Sequence, residues 1–275
     1  MPLTLTPLQG IPLIQPGDDL AGMILHALQP FDGAPPTGTS QGNLSGLQLE
    51  TGDILVLTQK IVSKAEGRLV HLTTITPSPA ALELAAKTGK DPRLAELILR
   101  ESKAVLRTRP GSVIVEHRLG FVCANAGIDQ SNVAENGATS SEWVLLLPEN
   151  PDQSAAQIRA KLEEATPWRG QAGKRIGVMI IDSHGRAWRI GTVGTVIGLS
   201  GLPGIVDLRG KTDLSGYTLQ ITVVGAADEL AAAASLVMGQ AAEGTPVVHV
   251  RGFPYPLREG SLKELLRPKD QDMFR

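Results

Sequence analysis

Ser112-Val113-Ile114-Val115-Glu116-His117-Arg118-Leu119-Gly120-Phe121-Val122-Cys123-Ala124 separates the two fold classes open to this chain. Two short runs rich in branched residues, Ser112–His117 and Gly120–Ala124, flank Arg118-Leu119-Gly120. So short a connection makes a hairpin, because a parallel crossover needs a dozen residues or more. Further strand-like runs lie at Asp53–Thr58, Trp143–Leu147, Arg175–Ile181, Tyr217–Val224 and Pro246–Arg251. They are interspersed with helical stretches, but without strict β-α-β-α alternation. The expected class is therefore α+β, with mixed, mostly antiparallel sheets and flanking helices, rather than a doubly wound fold.

The helices carry start and stop signals. Leu20, Met23, Ile24 and Leu28 recur at helical spacing. Ser78-Pro79 opens a helix that Gly89 closes. Asp91-Pro92 opens another, expected to run through Leu94, Leu97, Ile98 and Val105. Ser154 with Gln157 reads as a capping box before Ile158 and Leu162, and Ala226 to Met238 ends at Gly239. Asp32 to Ser45 reads as a surface loop, and Pro148 to Gln153 as a second loop where two lobes would part. The expected organisation is one unit over residues 1–275, with that break near 148–153. Gly191, Gly194, Gly198, Gly201 and Gly204 recur, but no GxGxxG opens a helix, so a dinucleotide fold is a weak reading.

Composition narrows the function classes. The 275 residues are 42% hydrophobic and 20% charged, as in an ordinary globular chain. Lys plus Arg total 26 against 28 Asp plus Glu, a net charge of −2 that favours neither nucleic acid nor an anionic membrane. Four Phe, two Tyr and three Trp leave few rings for stacking bases. Cys123 is the sole cysteine, which removes a disulfide framework, a CxxC pair and a Cys-rich zinc site. No apolar run approaches the ~20 residues of a membrane span. Met1 to Gly10 has no signal-peptide pattern, so the expected location is cytoplasmic.

Four polar segments border apolar runs. Thr58-Gln59-Lys60-Ile61-Val62-Ser63-Lys64-Ala65-Glu66-Gly67-Arg68 follows a strand and gathers cations suited to phosphate, although a solvated basic turn has the same composition. Asn125-Ala126-Gly127-Ile128-Asp129-Gln130-Ser131-Asn132 offers oxygen ligands for a hard cation or bonds to a nucleotide, and equally reads as a turn rich in Asx caps. Ile180-Ile181-Asp182-Ser183-His184-Gly185-Arg186 places Asp182 at the end of an apolar strand, with Arg186 and Arg189 able to face phosphates; a plain hairpin turn is the alternative. Met238-Gly239-Gln240-Ala241-Ala242-Glu243-Gly244-Thr245-Pro246 joins a helix to a strand with glycines that admit close backbone approach, or simply caps the helix. No P-loop or HExxH motif occurs, and Cys123 reads as a buried small hydrophobe.

In these four segments, and from Gly10-Ile11-Pro12-Leu13-Ile14-Gln15-Pro16-Gly17-Asp18-Asp19-Leu20 through Val250-Arg251-Gly252, the chain resembles the coenzyme F420-0:L-glutamate ligase (F420 γ-glutamyl ligase) family. The resemblance implies a GTP-dependent ligase. GTP phosphorylates the terminal carboxylate of F420-0, the amine of L-glutamate displaces phosphate, and further γ-linked glutamates follow. It also implies Mg²⁺ or Mn²⁺ at two sites, K⁺ as an additional ion, and an intertwined homodimer. By the same resemblance Ile11, Pro12, Leu13 and Ile14 lie at the nucleotide, with Gln59, Lys60, Lys64, Asn132 and the loop Met238, Gly239, Gln240, Ala241, Ala242, Glu243, Gly244, Thr245. Asp129 and Asp182 match ligands of one metal, and Ser183 and Gln240 match a second; Asp129, Asp182 and Lys64 are the expected catalytic set.

Some positions depart from the family pattern. Gln240 stands where some members have Glu, Ser183-His184 where Thr-Asn is familiar, and Gln59-Lys60 replaces a Ser-Thr-like pair. The fused nitroreductase-like domain of some bacterial relatives is not expected here. Two other readings stay open: a ligase of the same fold acting on another phosphorylated acid, and a nucleotide- and metal-binding sensor without turnover.

Overall fold

A computed structural model describes residues 2–29, 46–131, 133 and 142–273. The chain opens with β1 (Thr4–Pro7), α1 (Leu20–Ala27), β2 (Ile54–Thr58), α2 (Gln59–Ala65) and β3 (Leu69–His71). Next come α3 (Pro79–Thr88), α4 (Pro92–Arg100), β4 (Ser102–Arg109), β5 (Ser112–His117), β6 (Val122–Ala124) and β7 (Trp143–Leu145). The remainder is α5 (Pro151–Glu164), β8 (Gly177–Gly185), β9 (Thr192–Ser200), β10 (Val206–Asp207), β11 (Val223–Val224), α6 (Ala226–Met238) and β12 (Val247–Arg251). The mixed α+β class is the one expected. The main sheet has the order β1-β12-β2-β8-β9, and within it only β2 and β8 run parallel. The hairpin of β5 and β6 forms as anticipated and is extended by β4.

Both faces of the main sheet are covered, which is why β2 reads as a continuous apolar run. Leu55, Leu57, Val178 and Ile180 pack against α1 and α5 through Ile24, Ile158 and Leu162. Their strand neighbours Ile54, Val56, Met179 and Ile181 pack against α6 through Leu230 and Ala234. A separate core joins α3 and α4 to β5 and β6. The recurring glycines of β9 serve this packing: a Cβ on Gly194 would lie 2.4 Å from the Ala231 carbonyl oxygen, and one on Gly198 2.3 Å from Pro151 Cβ.

Several boundaries differ from expectation. The helix opened by Asp91-Pro92 stops at Arg100, and Ser102–Arg109 is strand β4, bonded to β5. Val105 stands seven residues after Ile98, but it pairs with Val115 across the sheet, so its helical spacing is coincidental. Asn150 rather than Ser154 caps α5, accepting from the Gln153 N–H, and Pro151 takes the first helical position. Residues 151–153 are thus helix, not loop. Of Tyr217–Val224, only Val223–Val224 pairs as a strand. The expected strand Arg175–Ile181 instead runs Gly177–Gly185, so Asp182 lies inside it. The Asp32–Ser45 loop lies outside the described residues. Ser78 and Asp91 cap α3 and α4, and Gly89, at φ 69°, closes α3. Among the described residues no helix is long and apolar enough to cross a membrane.

Candidate active site

Strand direction gathers the four segments at one edge of the sheet. Because β2 and β8 are parallel, with Thr58 opposite Ile181, their carboxyl ends lie side by side. Gln59 and Lys60 leave one end as Asp182 and Ser183 continue the other. β12 is antiparallel to β2, so the loop feeding it arrives at the same edge, where the Thr58 N–H donates to the Pro246 carbonyl (2.9 Å). β1 is antiparallel to β12, so its exit also points there, and Leu8 N–H donates to Val247 O (2.8 Å) before the chain runs on to Ile11–Ile14. Asp129 is brought in by paired backbone bonds with Leu145. The result is an open cleft of about 1060 Å³ outside the ends of the parallel pair, the usual location for ligands of such strands.

Ile11, Pro12, Leu13, Ile14, Lys60, Lys64, Asp129, Asp182, Ser183 and residues 238–245 line this cleft. The seven residues of α2 divide by face. Lys60 and Lys64, four apart, line the cleft, while Gln59, Val62 and Ser63 are buried behind it. The Gln59 side chain is therefore not a cleft wall. Its Nε2 donates to Asp129 Oδ2 (2.7 Å), and its Oε1 accepts from Ser63 Oγ (2.9 Å). Lys60 Nζ donates to the Ser131 Oγ (2.9 Å) and carbonyl (3.2 Å) and lies 3.5 Å from Asp129 Oδ2. Burial pushes the Asp129 carboxyl above its ordinary range; Lys60 opposes the rise and the nearby charge of Asp182 adds to it.

Successive residues of β8 point to opposite faces, so Asp182 and Ser183 serve different sides of the cleft. Ser183 Oγ donates to Gln240 Oε1 (2.9 Å), and Gln240 Nε2 donates to Ser235 Oγ of α6 (3.0 Å). Asp182 shares its face with His184, whose Nε2 lies 3.1 Å from Asp182 Oδ2. Glu243 turns into its own loop: its Oε2 accepts from the Ala241 N–H (2.8 Å), and its side chain folds over Gly239, where a Cβ would lie 2.2 Å from Cδ. These backbone donors hold its carboxyl below the ordinary range.

Not every expected residue reaches the cleft. Arg186 and Arg189 stand in the β8–β9 turn, outside its walls. Asn132 lies outside the described residues. Cys123 is buried, and burial, with the charge of Asp182, pushes its thiol up to about 12, which fits a small hydrophobe rather than a nucleophile. Ser235 and His184 have no assigned role in the sequence reading. For His184 the signal was its i+2 spacing from Asp182, which matters only once the strand is read through Gly185.

The donor set is chemically specific. Among the described residues no three His, Cys, Asp or Glu side chains cluster as a metal site. Two carboxylates, a hydroxyl and an amide oxygen are instead the hard, sparse set that Mg²⁺ accepts when phosphates and water complete its shell. Asp129 and Asp182 fit such a cation. Ser183 and Gln240 fit less well, being neutral and bonded to each other.

Residues 10–252 match the family model described as F420-0:Gamma-glutamyl ligase. The chain is 47% identical over 277 residues to the coenzyme F420:L-glutamate ligase of Methanothermobacter thermautotrophicus, covering 100% of both chains. It is 44% identical to that of Methanocaldococcus jannaschii (86% of this chain, 92% of the relative) and 40% identical to that of Methanosarcina mazei (96% and 92%).

Proposed function

We propose, starting from the fact that this chain belongs to the F420-0:gamma-glutamyl ligase family, that it joins L-glutamate to the terminal carboxylate of F420-0 at the expense of GTP, and then adds further γ-linked glutamates. The observation carrying this reading is the convergence of Lys60, Lys64, Asp129 and Asp182 on one open cleft, with Cys123 buried and outside its walls. Such a site suits a reaction whose intermediate forms on the substrate rather than on the protein.

The chemistry follows from the weakness of a carboxylate as an acyl donor. Its charge repels nucleophiles and oxide does not leave. Transfer of the γ-phosphoryl group of GTP to a carboxylate oxygen releases GDP and gives an acyl phosphate. The glutamate amine then attacks the acyl carbon, the C–O bond to phosphate breaks, and the amide and inorganic phosphate result. The protein's task is to gather several anions and screen their charge. Lys60 and Lys64 supply two positive charges from one helix face. The backbone of Ile11–Ile14 and the loop Met238–Thr245 form the nucleotide walls. Asp129 and Asp182 would hold one Mg²⁺ or Mn²⁺, and Ser183 and Gln240 a second, weaker one. A divalent ion so held supplies Lewis-acid charge to phosphate oxygens.

The proposal includes a homodimer. Trp188, Ile190, Leu214 and Ile221 are all more than 85% exposed on one chain, as apolar residues covered by a second copy would be.

Release of GDP and phosphate should require F420-0 and L-glutamate together. Binding of GTP without hydrolysis in the presence of both would favour a nucleotide sensor, and turnover with a different phosphorylated acid would favour the other ligase reading. Lys64→Ala should raise the nucleotide KM by roughly 10- to 100-fold, the loss of one or two charge-assisted contacts, with little change in the glutamate KM. A variant with unchanged nucleotide KM and rate would remove Lys64 from the phosphate site.

A further inference from the structure

We infer that His184 is a positioning residue, which fixes the Asp182 carboxylate so that Oδ1 is the oxygen presented to a divalent cation. The inference rests on reading Asp129 and Asp182 as cation ligands and deepens that reading. Asp182 and His184 occupy one face of β8, and His184 Nε2 lies 3.1 Å from Asp182 Oδ2. The His184 ring is buried, and Nε2 has no aligned hydrogen-bond partner among the described residues. The separation is within hydrogen-bond range and only the alignment is missing.

The ring has little other freedom. Phe121 packs against it with centroids 5.2 Å apart, and Phe121 also stacks on His117 at 5.0 Å with planes 3° apart. His117 is itself fixed: its Nδ1 accepts from the Leu119 N–H (3.1 Å) and its Nε2 faces Glu101 at 3.7 Å. Glu101 is tied to Arg68 and Arg118. The support of Asp182 thus runs back through two rings to an ion cluster of the neighbouring core.

Asp129 is held by a different group, through a formed hydrogen bond. Its Oδ2 accepts from Gln59, and Gln59 is oriented by Ser63. Among the described residues no hydrogen bond reaches Oδ1 of either aspartate. Asp129 therefore has Oδ2 engaged by the protein and Oδ1 left for the cleft, and the approach of His184 to Oδ2 divides the Asp182 oxygens in the same sense. A partner that orients a ligating group in this way is typically worth ~10- to 100-fold in metal affinity.

The test is Mn²⁺ binding to the full chain, followed by electron paramagnetic resonance without turnover and with GDP present, beside thermal melts by circular dichroism. Wild type should bind Mn²⁺ and Asp182→Asn should lose it. His184→Leu, which keeps the bulk but removes the donor, should bind ~10- to 100-fold more weakly, while His184→Gln, whose amide nitrogen reaches the same point, should stay within about threefold of wild type. A second measurement needs no variant: in long-range ¹H–¹⁵N spectra of wild type, Mg²⁺ should shift the His184 nitrogens and leave those of His249 in place. A folded His184→Leu that binds Mn²⁺ like wild type overturns the inference and leaves the aspartate reading intact. So does Mn²⁺ binding by wild type with His184 nitrogens indifferent to Mg²⁺. Failure of wild type to bind Mn²⁺ overturns both.

Discussion

Asp182→Asn is expected to keep the fold and to lower ligation by at least about 10³-fold, because one of the two carboxylates organising charge in the cleft is lost. The fold should survive for a local reason. β8 is held by backbone pairing to β2 and β9, and Asp182 contributes no bond to that ladder beyond its own main chain. Its side chain is 14% exposed and faces the cleft, and Asn retains an oxygen for His184 to approach. What disappears is the charge. With Asp129 alone, a divalent ion would have one anionic ligand and would be held less firmly, so less of its charge would be in place for the γ-phosphate. The loss should fall on kcat, with the F420-0 KM changed much less. Steady-state kinetics at saturating Mg²⁺, with a melt to establish folding, measure this; a folded variant at near wild-type rate would remove Asp182 from the reaction.

The largest stability effect is expected far from the cleft. Asp53 precedes β2 and is 1% exposed, with His249 Nε2 at 2.8 Å and Arg251 forming two bonds at 2.9 and 2.7 Å. Its carboxylate also accepts from the Glu50 N–H (2.8 Å). Asp53→Ala leaves His249 buried without its carboxylate and should cost about 3–5 kcal/mol in urea unfolding at pH 7. The pH dependence has a definite sign. Burial pushes the Asp53 carboxyl up, but Arg251 and His249 outweigh it and hold it down at about 2 against 3.8. A carboxyl lowered on folding stabilises the protein above its unfolded value and ceases to do so as pH falls through its folded value. Asp53 should thus contribute about 2 kcal/mol above pH ~5, fading between pH ~4 and ~2. Asp53→Asn should flatten the acid limb of the stability curve relative to wild type; an identical slope in the two proteins would show that Asp53 does not titrate as described.

Much of the architecture was legible because its signals are local. Ser78-Pro79 and Gly89 bound α3 as read, since cap, first-turn proline and left-handed glycine act within one turn. The β5–β6 hairpin was fixed by its short connection. Errors came where a distant partner set the boundary. Ser102–Arg109 is a strand because β5 offers an edge, and nothing in its own sequence reports that edge. β8 continues to Gly185 because β9 pairs with its polar end through Thr192.

The cleft shows the same division. Its polar segments were readable as strand-end clusters, and their resemblance to one family tied them together. Their common location follows from strand direction, which composition does not encode: β2 parallel to β8, and β12 antiparallel between β1 and β2. Side-chain roles were less legible still. Gln59 and Lys60 are neighbours in sequence, yet one is buried behind Asp129 and the other lines the cleft, because α2 turns them to different faces. Gln240 bonds to both Ser183 and Ser235, contacts that arise only when β8 and α6 come together.

The most direct test is incubation of the protein with F420-0, L-glutamate, GTP and Mn²⁺, followed by mass spectrometry of the deazaflavin product. The expected product is F420-0 heavier by one or more glutamyl units, with none formed when GTP or glutamate is omitted. F420-0 recovered unchanged by a folded protein that still binds GTP and Mn²⁺ would contradict the ligase reading.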